Sequence, residues 1–152
     1  MKKIIAIIAA LVVSVSAFAQ NYQSAVGLKI GYDVALTYKT HVSSSNALDL
    51  GVNLSGLFGP NGLGVLVNGF YTWEKPLGAV SGLSWYAGPG AFVGLHIGDP
   101  LAFNASINAI LGLEYKFAGA PVALSIDWTP GLNLTGIAFS WHGGGLGVKY
   151  TF

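Results

Sequence analysis

The sequence predicts an all-β fold: an eight-stranded, antiparallel, up-and-down β-barrel preceded by a cleaved signal peptide. Three observations predict it. After Gln20, apolar residues recur at every second position, the period of a strand whose successive side chains point to opposite faces. Clusters of Gly, Pro, Ser and Asn cut this alternation into segments. Nearly all ionised side chains on those segments share one parity, which gives each strand one apolar and one polar face.

Composition narrows the function classes. The chain has 152 residues, is 53% hydrophobic and 9% charged, and has 22 glycines and no cysteine. A disordered chain would be richer in charge and poorer in apolar residues. Without cysteine there is no disulfide scaffold, thiolate metal site or cysteine nucleophile. Seven Lys, no Arg and six acids give a net charge of +1, which is no footprint for nucleic acid. The length suits one domain.

The first element is read from its three regions. Met1-Lys2-Lys3 is positive, Ile4 to Val15 is almost continuously apolar, and Ser16-Ala17-Phe18-Ala19 offers small residues before a cut. This is the pattern of a secretory signal peptide. The apolar run is short for a helix that must supply ~20 residues to cross a bilayer. Residues 1–19 are therefore expected to be removed, leaving 20–152 as the barrel. Loss of Lys2 and Lys3 leaves five Lys against six acids.

Eight strands follow, at 24–31, 34–42, 47–57, 63–75, 83–97, 105–117, 122–134 and 144–152. Leu48, Leu50, Val52 and Leu54 alternate with Asp49, Gly51, Asn53 and Ser55. Val122, Leu124, Ile126 and Trp128 oppose Ala123, Ser125, Asp127 and Thr129. Chain reversal falls to Ser43 to Asn46, Gly59 to Gly62, Pro76 to Gly82, Gly98-Asp99-Pro100 and Ala118 to Pro121. The first reversal, Gly31-Tyr32-Asp33, is the weakest, and the longest loop is Thr135 to Gly143.

The charges decide which face is inside. Lys29, Lys39, Asp49, Glu74, Glu114, Lys116, Asp127 and Lys149 lie on the polar parity. Only Lys75 falls on the other, at a strand end beside Pro76. A soluble barrel turns its apolar face inward and covers its exterior with charge, about 25–35% of the surface. Here the polar face holds Asn, Ser, Thr and Gly with few charges. The apolar face is nearly uncharged, as lipid demands: a Lys near the midplane costs ~2–4 kcal/mol. Aromatics gather at strand ends. Trp73, Trp85, Tyr115, Phe117, Tyr150 and Phe152 mark one rim, and Tyr32, Phe58, Phe103, Phe139 and Trp141 the other. Two such belts suit the two headgroup zones, with Trp128 fitting less well because it sits nearer mid-strand. The expectation is a transmembrane barrel with outer-membrane lipid as its immediate partner.

The last strand, Gly143 to Phe152, resembles the terminal strand of bacterial outer-membrane proteins, with Leu146, Val148 and Tyr150 alternating before Phe152. The resemblance implies that the barrel-assembly machinery reads these four residues. The larger pattern is similar to small outer-membrane barrels of Bacteroidota. Leu36-Thr37-Tyr38-Lys39, Asn46-Ala47-Leu48, Gly82 to Tyr86, Leu111 to Tyr115 and Leu124 to Trp128 with Pro130 carry it. It implies a Gram-negative outer membrane, periplasmic termini and no established activity.

The expected role is structural or interactive. Eight lumen charges, four of each sign, predict a filled network rather than a selectivity filter. Eight strands are too few for an open porin, which takes ~16–18. No catalytic residue, cofactor or metal is assigned, and a monomer is expected. One alternative is a lipid-modifying enzyme built on Ser140-Trp141-His142, although no acid lies nearby in sequence. Another is a soluble periplasmic ligand-binding barrel. A metal site from His41, His96 and His142 is disfavoured because the first two belong near opposite rims. The lumen glycines 27, 51, 88, 90, 94, 112 and 147 are read as allowing tight curvature or room for water. Asn53, Asn104 and Asn133 open Asn-x-Ser/Thr triplets that are given no weight.

Overall fold

The computed structural model describes residues 22–57, 60, 62–98 and 100–152. Residues 1–21, which include the expected signal peptide, Phe58 of one expected rim, and Gly59, Asn61 and Asp99 of the expected turns lie outside the described residues. Ten strands form: β1 (Ser24–Gly31), β2 (Val34–His41), β3 (Asn46–Ser55), β4 (Leu63–Pro76), β5 (Leu83–Ile97), β6 (Ala102–Lys116), β7 (Val122–Trp128), β8 (Gly131–Asn133), β9 (Ala138–Ser140) and β10 (Gly144–Thr151). Every pairing is antiparallel: β1 to β6 each pair with the next strand in the chain, β8 pairs with β6 and β9, β10 pairs with β7, and β1 pairs with β10 to close the cylinder, from Ala25↔Thr151 to Gly31↔Gly145. The result is a closed barrel of eight staves, with β7 and β8 sharing the seventh and β9 and β10 the eighth.

The last hairpin departs from the expected one. Residues 122–134 are not one strand, and 135–143 is not one long loop. Pro130 has no N–H to give to a ladder, so the seventh stave breaks at Thr129-Pro130. The Pro130 carbonyl still accepts from Ala109 N at 2.9 Å. Beyond it, β8 pairs with both β6 and β9, so the free loop shrinks to the turn at 134–137. The eighth stave breaks in turn at Gly143-Gly144. Gly144 has φ +103° and packs so closely that an added Cβ would sit 2.0 Å from the Asp127 carbonyl oxygen. Only glycine fits that approach.

Parity sets the two faces. Leu50, Val52, Leu124 and Ile126 are 40–54% exposed on the outside, whereas Asp49 and Asp127 are 3% and 7% exposed. Leu146, Val148 and Tyr150 also face outward, and Phe152 is half-buried. The barrel is thus apolar outside and polar inside, the reverse of a soluble domain. Its interior does hold one apolar cluster. Phe70, Tyr86 and Ile110 are at most 2% exposed, with Phe92 packed edge-on to Phe70 at 5.6 Å.

That cluster explains two of the lumen glycines. A Cβ on Gly112 would meet the Tyr86 ring at 2.5 Å, and one on Gly90 would meet Phe70 at 2.3 Å. These glycines make room for aromatic rings laid across the barrel, a role that curvature and water do not describe.

Candidate functional site

The aromatic cluster divides the interior into two regions. One lies toward the chain termini and holds the charges. The other lies toward the 32–33 and 134–137 turns and is mostly neutral.

The charged region is built around Glu114, carried on β6 and 1% exposed. Lys149 of β10 binds it at 2.7 Å and Lys39 of β2 at 3.2 Å. Lys39 also reaches Glu74 of β4 at 2.6 Å, and Lys149 lies 3.9 Å from Asp49 of β3. Ser84 donates to Glu74 at 3.0 Å, and His41 lies 3.3 Å from the same carboxylate. Beside this group, Lys29 binds Asp127 at 2.7 Å and the Tyr86 hydroxyl donates to Asp127 at 2.8 Å. The Tyr86 ring carries the Lys39 ammonium at 4.9 Å and the Lys149 ammonium at 5.6 Å, within cation–π range. Each buried charge therefore meets an opposite one, which burial requires.

Tyr22, just before β1, covers this end. Its hydroxyl donates to Glu114, and its ring packs edge-on to His41 at 4.9 Å. Burial first, and then the neighbouring carboxylates, raise this phenol well above its ordinary pKa. Tyr22 therefore stays a neutral donor.

Seven of the eight charges read from the sequence meet in this interior. Lys116 does not join them. It sits where β6 ends, and its ammonium donates to the carbonyls of Phe117 and Ala120, each at 2.7 Å. Correct parity puts a side chain on the inner face, but at a strand end a long Lys reaches the turn more easily than the middle.

The second region is a cavity of about 340 Å³. Asn53, Asn68, Asn104, Asn108 and Asn133 line it, with Phe70 and Phe92 as its apolar part and Tyr32 and His142 stacked at 6.2 Å among its outer residues. Asn53 donates to Asn68, and Ser106 donates to Asn108 at 2.6 Å. Asn104 makes no side-chain hydrogen bond among the described residues. Asp33 also lines the cavity; its Oδ1 is buried without a partner, and burial raises its carboxyl pKa above the ordinary value. Ser140 donates to the His142 carbonyl at 3.1 Å, so in this arrangement its hydroxyl is not directed at the imidazole. His41 lies at the other end of the barrel from His142, as β-strand order dictates.

No family model, curated protein or solved structure matches the chain.

The site must therefore be read from its own chemistry. In the charged region the ammonium groups are spent on carboxylates, although Asp127 Oδ1 and His41 Nδ1 are buried without a hydrogen-bond partner. The Asn-rich cavity offers neutral donors and acceptors beside aromatic rings. Two kinds of residue escaped the sequence reading. Tyr86, Phe70, Phe92 and Ile110 sit on the polar parity and were hidden by their type; the available signal was a large ring cross-strand from a glycine, as in Tyr86↔Gly112 and Phe70↔Gly90. The three asparagines set aside as triplets gather with Asn68 and Asn108, because alternate positions near one end of four strands share one space.

Proposed function

We propose that this chain is a small integral outer-membrane barrel, filled rather than porin-like, with a structural or interaction role. The observation that carries the reading is the inverted barrel: an outer surface of exposed Leu, Val and Ile around an interior of paired charges. Such a surface in water would be an apolar patch far beyond the few hundred Å² that monomeric proteins usually leave bare. In lipid it is the natural exterior, and the pairing of β1 with β10 closes the cylinder, as a sheet in lipid must.

The rims support the same reading. Trp128 stacks on Trp141 at 6.0 Å and donates its indole N–H to the Trp141 carbonyl at 2.7 Å. This pairing brings Trp128 into the group of exposed rings near β9, Phe139 and Trp141, where an interfacial belt is expected. The proposal includes export through the signal peptide at 1–19. It also includes recognition of Leu146, Val148, Tyr150 and Phe152 by the barrel-assembly machinery of a Gram-negative host, possessed by Bacteroidota among others.

Membrane fractionation with a heat-shifted gel tests the proposal. The expected protein stays with membranes through a high-salt wash and migrates faster before boiling than after. Release by salt, with no heat shift, contradicts it and favours a soluble periplasmic barrel.

A further inference from the structure

Beyond the membrane reading, the geometry points to a binding site for a small, neutral, polyhydroxylated ligand, a hexose or a single sugar unit, in the Asn-rich cavity between β3, β4, β6 and β8. The cavity's volume of about 340 Å³ lies at the lower end of ligand pockets, which run ~300–1,000 Å³. That holds one small ligand rather than an extended chain.

The hydrogen-bonding groups set the class. An amide offers donors and an acceptor and carries no charge. The Asn53–Asn68 pair uses the Asn53 amine and the Asn68 carbonyl oxygen, which leaves the Asn53 oxygen and the Asn68 amine for a ligand. Asn104 keeps its whole side-chain amide for the cavity. Asp33 adds a buried oxygen with no partner. A ligand that satisfies these groups must donate and accept at several points. Hydroxyl groups do both at every position.

Charge and shape narrow it further. The Lys29 ammonium, which also lines the cavity, is bound to Asp127 at 2.7 Å, so among the described residues the cavity's lysine is already spent on a carboxylate. The half-buried Phe92, packed edge-on against the buried Phe70, presents its ring to the same space. The C–H face of a pyranose can pack against that ring while its hydroxyls reach the amides.

The test is a titration of ¹⁵N-labelled, refolded protein in lauryl dimethylamine oxide micelles, whose headgroup carries no sugar. The probes are methyl α-glucoside, methyl β-galactoside and methyl α-mannoside, with glucuronate and glucosamine as charged counterparts. At least one neutral glycoside is expected to shift the Asn53, Asn68, Asn104 and Asn108 side-chain amides saturably, with a Kd near ~1 mM. Asn104→Leu is expected to weaken that binding about tenfold, in line with the loss of hydrogen bonds to a desolvated partner. Its folding is checked separately by the heat-shifted gel. Should the variant fail to refold, nuclear Overhauser contacts between glycoside ring protons and the Phe92 ring in the unmutated protein decide the matter: their presence supports the site, and their absence overturns it. Shifts that stay linear for every neutral glycoside overturn it too, as does binding that Asn104→Leu leaves intact. Charged probes binding as tightly as neutral ones contradict the stated ligand class. A folded barrel that binds none of the glycosides would defeat this inference while leaving the membrane reading untouched.

Discussion

The two halves of the interior solve the same problem in opposite ways. Toward the termini, Lys39, Lys149, Glu74, Glu114 and Asp49 spend their charges on one another, and Tyr22 covers them. Toward the other end, five asparagines leave part of their hydrogen-bonding capacity open around a cavity. A charge in a low-dielectric interior is costly unless it is paired and hydrogen-bonded. Neutral amides tolerate water or a ligand as partners. The termini half is therefore expected to hold the barrel together, and the cavity half to be free for binding.

Mutations should separate the halves. Glu114→Ala is expected to have the largest effect. Among the described residues it leaves Lys149 with only the Asp49 carboxylate, at 3.9 Å, and Lys39 with only that of Glu74, and loss of one member of a buried pair costs ~3–5 kcal/mol. Urea titration of the refolded barrel should show that loss, or no refolding. Leu50→Lys places a charge on the outer face and is expected to cost ~2–4 kcal/mol in lipid vesicles if the position lies near the midplane. The same substitution in a soluble protein would cost little. Gly112→Val drives a side chain into the Tyr86 ring, and overpacking of this kind costs ~1–3 kcal/mol. Near-ultraviolet circular dichroism should register the displaced ring. Asn104→Leu in the cavity half is expected to change stability by less than ~0.5 kcal/mol. An effect as large as that of Glu114→Ala would erase the contrast between the halves.

Asp33 gives the smallest effect and a sign that depends on pH. Burial raises its folded pKa, so the folded state favours the protonated carboxyl. Stability from this group is highest below the ordinary Asp pKa and falls as pH rises through the raised value. Asp33→Asn is accordingly expected to raise the melting temperature slightly at pH 7 and to lose that advantage in acid.

The strands were legible because period two leaves few other folds, and the staves closed where alternation put them. Strand ends near 31, 63, 83 and 97 follow from Gly and Pro clusters. The β8–β9 extension was not legible. The alternation reads straight through Pro130, where the seventh stave breaks, and Thr135 to Gly143 reads as one loop, whereas Ala138–Ser140 pairs back onto β8. The site was legible in its charges and not in its neutral part. An ionised side chain announces a buried partner from sequence alone, whereas an asparagine on an inner parity is unremarkable until four strands bring several together. Tyr86 shows the same limit: its parity was readable, but its place between two ammoniums and Asp127 depends on which staves face each other.

The central claim is that the apolar face meets hydrocarbon. Because the chain contains no cysteine, single-cysteine spin labels can be placed cleanly. Labels at Val52 and Ile126 in vesicle-reconstituted protein, compared with one at the Tyr32 turn, test the claim most directly. The account predicts relaxation by oxygen and shielding from a water-soluble nickel chelate at Val52 and Ile126, with the opposite pattern at Tyr32. Equal access of the chelate to all three would contradict it.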